Sequence, residues 1–238
     1  MFKYAFVREY FVSLVTLRRI LRRLVKVIYN PAALIEEELV APDILSSIIA
    51  FIIFLMLSLF KSYMSATRII EVNGAFGNTF QYYSYEFIIY FVEGIVLVLF
   101  STMLLVLISV KHENYKVFFL FSFYLLVIVG LGRLISGGML LIFPKIQFTY
   151  TNQTALSSQF QNALLQWAQA NSIPYIIDVV ISDVIPITWC IVLQSYAASR
   201  LMNANRMAAI FMLISTWVGL RVIIMRALIT ILYGIPFI

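Results

Sequence analysis

The chain has 238 residues, 63% of them hydrophobic and 12% charged, with a net charge of +6. Globular chains carry roughly 45–50% apolar and roughly 25% charged residues, and the mean hydropathy here is +0.97. Most of the surface must therefore face something other than water. That excludes a soluble enzyme domain, a disordered chain, a disulfide scaffold and a collagen-like fibre.

Rare residues narrow the chemistry further. Cys190 is the one cysteine and His112 the one histidine. An internal disulfide, a cysteine metal cluster, a multi-histidine zinc or copper site and a bis-imidazole haem are all excluded. No metal and no cofactor is expected. The positive balance reads as basic cytoplasmic loops of a membrane protein rather than as affinity for nucleic acid.

In chain order, the first element is an amphipathic helix over about Val7 to Ile28. With Arg18 at zero on a helical wheel, Arg19, Arg22, Arg23 and Lys26 fall at about 100°, 40°, 140° and 80°. Leu17, Ile20, Leu21, Leu24, Val25, Val27 and Ile28 fill the opposite arc, between about 180° and 340°. Such a helix lies in the membrane interface with its cations near anionic headgroups. It serves either as a topology anchor or as a docking helix for a cytoplasmic partner. Asn30-Pro31 ends it, because the residue before proline leaves the α region and proline has no N–H to donate. Glu36, Glu37 and Glu38 follow, read as the solvated start of a second short helix. Offsetting the arginines and an acidic contact for a partner are the other two readings. Residues 1–43 thus form a basic interfacial region, and 44–238 a membrane domain.

A helix needs about 20 mostly apolar residues to cross a hydrocarbon core of roughly 30 Å. Five runs qualify: Ile44 to Phe60, Phe87 to Val110, Val117 to Phe143, Tyr175 to Ala197 and Met207 to Tyr233. The third is interrupted by Gly130, Gly132, Gly137 and Gly138, and Pro186 is expected to kink the fourth. Runs this long are not those of a β-barrel, and no internal repeat suggests an inverted-repeat transporter. The expected fold is an all-α, polytopic bundle of five transmembrane helices with an N-terminal interfacial helix.

Orientation follows from the cations. With the N-terminus inside, cytoplasmic segments hold eleven Lys and Arg residues and outer segments three, Lys61, Arg68 and Lys145. The C-terminus is then outside the cell membrane, as is Asn152 of Asn152-Gln153-Thr154, a possible glycosylation site. The N-terminal segment lacks a signal-peptide cleavage site and is expected to be retained. The outer loop 144–174 is polar, and Phe160, Leu164 and Trp167 within Ala155–Ala170 suggest a short surface helix.

Charges inside the spans are the candidate functional residues: Glu93, Arg133, Asp178, Asp183, Arg221 and Arg226. In antiparallel neighbours, residues at equal depth keep a nearly constant index sum. Asp183 with Arg221 and Asp178 with Arg226 share one sum, so both are expected to pair. Glu93 and Arg133 either join that network or pair with each other. Ion pairs that lock the helices and a path for a substrate or ion both fit this pattern.

Three stretches in order carry a family resemblance. They are Val27-Ile28-Tyr29-Asn30-Pro31 through Pro42-Asp43, the polar break Lys111–Tyr115 before Lys116-Val117-Phe118-Phe119, and Trp189-Cys190-Ile191-Val192-Leu193 followed by Ala198-Ser199-Arg200 and Asn205-Arg206-Met207-Ala208. Together they resemble the Yip-domain (Ypt-interacting-protein) family of five-span membrane proteins. A proline usual in that family's third span is missing from Phe123-Tyr124-Leu125-Leu126, and the long outer loop departs from its compact pattern. The resemblance implies five spans, and for eukaryotic members a part in vesicle trafficking with small GTPases.

The function expected is that of a non-enzymatic scaffold or accessory subunit, contacting membrane lipids, other membrane subunits and a cytoplasmic partner. The membrane (permease) subunit of an ATP-driven transporter is the alternative. The chain has no phosphate-binding Gly-rich lysine loop, so it is not the ATPase. A membrane enzyme using Glu93, Asp178 and Asp183 is a third reading, without a paired-acid motif behind it.

Overall fold

The computed structural model describes residues 2–65, 70–73, 79–142, 146–149, 166 and 168–233. Helix α1 (Phe2–Tyr29) leads into α2 (Pro31–Val40), and α3 (Ile44–Met64) is the first span. Helices α4 (Thr79–Leu107) and α5 (Tyr115–Met139) carry the second and third. The fourth is α6 (Ser172–Val179), a π turn over Val180–Val184 and α7 (Ile185–Met202). The fifth is α8 (Arg206–Ile214), a π turn over Ser215–Leu220 and α9 (Arg221–Tyr233). Five helices are long and apolar enough to cross a membrane: Ile44–Met64, Tyr83–Leu107, Tyr115–Met139, Ser172–Met202 and Arg206–Leu232. The all-α bundle of five spans is the fold. The one non-helical pairing described is a short parallel ribbon of β1 (Ile70–Asn73) and β2 (Ile146–Thr149), in register from Ile70 with Ile146 to Asn73 with Thr149. Asn152 and most of the expected 155–170 helix lie outside the described residues.

Local chemistry sets the breaks. Asn30 does not merely end α1; its side-chain oxygen accepts from Ala33 N and caps α2, with Pro31 in the first turn. Asp43 caps the first span by accepting from Ser46 N. Asn203, at φ 52°, takes the left-handed conformation that closes the fourth span. Two residues on, Asn205 accepts from Met207 N and Ala208 N to start the fifth.

The third span is the axle of the bundle. Phe118, Phe121, Tyr124, Leu125 and Leu126 are all fully buried along it. Its glycines do not interrupt the helix, contrary to expectation; Gly130, Gly132 and Gly137 let neighbours approach. A β-carbon on Gly130 would lie 3.2 Å from the Phe54 Cα, and one on Gly137 3.2 Å from the Lys61 Cα, so the first and third spans touch through backbone. On another face, a β-carbon on Gly132 would lie 2.4 Å from Pro186 Cγ and 2.6 Å from the Ile181 oxygen. Pro186 has no N–H to give the preceding turn, and the fourth span widens into its π turn immediately before it. The Gly132 contact therefore seats the third span against that turn. Gly132→Ala is expected to destabilise the bundle by about 3 kcal/mol, the upper range for overpacking, because a carbonyl cannot swing aside as a side chain can. Gly138→Ala, with nothing within 4 Å of the added carbon, is the control and should be neutral or stabilising in a detergent melt.

Helix α1 has three faces rather than two. Arg23, Val27, Ile20 and Leu24, at about 140° to 240° on the wheel, are buried. Leu17, Ile28, Leu21 and Val25, at about 260° to 340°, stay exposed and apolar. Arg18, Arg19 and Arg22 point away from both. The helix thus leans one side on the bundle, turns one toward lipid and leaves one polar. The expected single apolar face is divided because half of it belongs to the protein core.

Candidate functional site

Within the spans, opposite charges from different helices converge. Glu93 of the second span is 2% exposed and Arg133 of the third is 3% exposed. Arg133 Nη2 donates to both Glu93 oxygens, at 2.7 and 2.8 Å, and Nη1 donates to Ser58 Oγ of the first span at 2.9 Å. Its guanidinium also lies over the Tyr90 ring at 4.6 Å and the Phe54 ring at 5.3 Å. Arg221 of the fifth span donates through Nε to Glu93 Oε1 and through Nη2 to Asp183 Oδ1 of the fourth, both at 2.5 Å. Ser182 Oγ donates to the other Asp183 oxygen at 2.7 Å.

The Asp183–Arg221 pair expected from the index sums is present, and Glu93 and Arg133 join it. The Asp178–Arg226 pair is not the arrangement found. Asp178 turns to the first and third spans, where Lys61 Nζ donates to it at 3.2 Å and Ser136 Oγ donates to its other oxygen. Asp178 lies in α6 and Asp183 in the π turn that follows it, and the two carboxylates hydrogen-bond to different spans. Arg226 lies on the exposed side of the fifth span. Lys61, read from sequence as an outer-loop cation, is instead part of the last turns of the first span.

Three acids (Glu93, Asp178, Asp183) and three bases (Lys61, Arg133, Arg221) therefore balance, and every span contributes a partner. Charges this far from water persist only when paired and hydrogen-bonded. A second polar hub lies deeper in the core. Trp217 Nε1 donates to Gln194 Oε1 at 2.7 Å, and Gln194 Nε2 donates to Ser122 at 3.0 Å and Ser101 at 3.3 Å. Sequence reading missed this hub, since uncharged Gln, Ser and Trp in apolar runs carry no individual signal. The rarity of glutamine inside a span was the clue available.

The second cluster sits where α1 and α2 meet the bundle. Glu38 is fully buried, not at a solvated helix start as the sequence suggested. Arg23 donates to its Oε1, Tyr124 hydroxyl donates to the same oxygen at 2.9 Å, and Asp43 N donates to Oε2 at 2.9 Å. Arg19 reaches Asp43 at 3.2 Å, Arg22 reaches Glu37 at 2.9 Å and Lys26 reaches Glu37 at 2.6 Å. Four of the five cations assigned to the membrane surface thus pair with carboxylates of the same chain. Arg18 is exposed, with no carboxylate partner among the described residues.

Electrostatics separates these acids. Burial pushes Glu38 above the usual carboxylate range, outweighing Arg23 and the bonds from Asp43 and Tyr124. Burial acts the same way on Glu37 but loses to Lys26, Arg22 and Arg23, which hold it low. At Asp43 burial is overcome by the Ser46 bonds with Arg19 and Arg23, again holding it low. For a lowered carboxylate, stability is present above its unfolded-state value and is lost as pH falls through the folded value. For Glu38 the sign is reversed, and its contribution falls as pH rises past about 4.5. A spin label at Ile28 should therefore become mobile below about pH 4, and Glu37→Gln should flatten that acid limb. Label mobility unchanged from neutral pH down to about pH 3 would sink this account of the clamp.

No family model matches the sequence, and no curated protein or solved structure matches it either.

Proposed function

We propose that this integral membrane protein is a non-enzymatic scaffold or accessory subunit of a larger membrane complex. In this reading the N-terminus and the basic end of the bundle are cytoplasmic and the C-terminus is outside. The Yip-like order of motifs supports the same layout.

One observation carries the reading. Six intramembrane charges, three of each sign, pair with one another and with their hydrogen bonds tie all five spans, whereas the end holding α1 and α2 keeps unbalanced charge. By sequence that end has eleven cations, Lys3, Arg8, Arg18, Arg19, Arg22, Arg23, Lys26, Lys111, Lys116, Arg200 and Arg206, against six carboxylates, Glu9, Glu36, Glu37, Glu38, Asp43 and Glu113. A rigid, internally neutral bundle with a cationic end suits holding an acidic partner or anionic lipid. The permease alternative rests on the same end, since the turn 203–205 is flanked by the exposed Arg200 and Arg206, where an ATPase would seat.

Purification from native membranes followed by mass spectrometry separates the two. Stoichiometric membrane partners support the scaffold, and a co-purifying ATPase supports the permease. Arg19, Arg22, Arg23 and Lys26 all pair with clamp carboxylates, so the docking test uses Arg18. Arg18→Gln should weaken retention of the partner by about 1 kcal/mol, the contribution of one cation near an anionic surface. Unchanged retention would remove the docking role. For orientation, single cysteines at Gln153 and Asn203 in a Cys190→Ser background should label from opposite sides.

A further inference from the structure

A groove of about 470 Å³ runs between the fourth and fifth spans. Asp183 and Arg221 close one end, and its walls continue to Ile191 and Ile210. The eleven residue steps from Ile210 to Arg221 on the fifth span cover ~16 Å. The lining is otherwise almost wholly apolar, Thr188 being the one further polar side chain. Val184, Ile214 and Val218 on its rim are about half exposed. They sit at mid-span, so the groove opens sideways to lipid. Both walls also carry a π turn near the charged pair, at Val180–Val184 and Ser215–Leu220. Such turns are rare and are frequent at functional sites.

We propose that this groove binds a neutral long-chain alcohol of the membrane, with its tail along the apolar walls and its hydroxyl at Asp183 and Arg221. Three constraints select that class. The network is already charge-balanced, so a charged head would be stranded beside it. Asp183 only accepts hydrogen bonds and Arg221 only donates them; one hydroxyl does both. The pair also lies ~16–18 Å from the nearer ends of its helices, near the middle of a ~30 Å core and far deeper than a phosphate headgroup sits. Side-chain exposures of 28% for Asp183 and 16% for Arg221 leave both open to a ligand.

The test uses the full-length protein in lipid nanodiscs. The probe is a long-chain alcohol with a diazirine in its chain, compared with the matching methyl ether and carboxylic acid. The alcohol should label saturably and map to 184–192 and 210–222, with labelling at least tenfold above that of the ether. Val218→Trp, which fills the groove without touching the charges, should lower labelling at least tenfold and leave the melting temperature nearly unchanged. Equal labelling by alcohol and ether, stronger labelling by the acid, or cross-links spread evenly over the lipid-facing spans would each overturn the assignment. The ether comparison is made on the unmodified protein, so it decides the matter even if Val218→Trp fails to fold.

Discussion

Glu93→Ala is expected to be among the most destabilising changes within the spans. The carboxylate holds two guanidiniums at once, from Arg133 and Arg221. Removing it leaves Arg133, 3% exposed, with Ser58 as its remaining hydrogen-bond partner and two aromatic rings over its guanidinium. Breaking a buried pair by deleting one partner costs about 3–5 kcal/mol. Arg221 keeps Asp183, so the loss centres on Arg133. Two further variants make the result diagnostic. Glu93→Gln preserves hydrogen-bonding shape but not charge, and should fall between wild type and Glu93→Ala. Glu93→Leu with Arg133→Met removes one charge of each sign and leaves the Asp183–Arg221 pair neutral. That double variant should recover most of the stability lost in either single one, since apolar replacement of a buried pair is often neutral. Unfolding in mixed micelles reads all of these. A double variant no better than the worse single would mean that the residues do not act as a pair. The same logic applies to Asp183→Asn with Arg221→Gln, with a smaller effect because both side chains are partly exposed.

Glu38→Ala should be the matching lesion at the other end of the bundle. It strands Arg23, whose side chain is 3% exposed, and deprives the Tyr124 hydroxyl and the Asp43 N–H of their acceptor. A stranded buried charge costs about 3–5 kcal/mol, and each buried donor left unpaired adds about 1–3 kcal/mol. Arg23 also has Asp43 at 3.5 Å and Glu37 at 3.7 Å, which temper the loss. Glu38→Gln keeps an acceptor for Tyr124 and Asp43 and should cost markedly less. The readout that separates this from general instability is local. Spin labels on α1 should loosen at lower temperature than labels on the third span. If both regions melt together in Glu38→Ala, then α1 and α2 are part of the core rather than clamped to it.

Much of this molecule is decided one residue at a time and was therefore legible in the chain. Hydropathy placed all five spans to within a few residues at most ends, because a segment's transfer into lipid depends on its own side chains. Asn30-Pro31 marked a break because capping and proline geometry are local. Equal depth along antiparallel helices even identified Asp183 with Arg221, since rise per residue is constant. Rotation about a helix axis is different, because it answers to neighbours. Asp178 meets Lys61 and Ser136 rather than Arg226 because it faces the first and third spans, and no index sum records that angle. Glu38 is buried beside Arg23, and α1 is divided into core, lipid and polar faces, only once the third span stands against them. Gln194, Ser101, Ser122 and Trp217 become a hub through four helices meeting at one depth. Composition and periodicity describe what each helix presents; which face meets which neighbour is settled only by how the five pack.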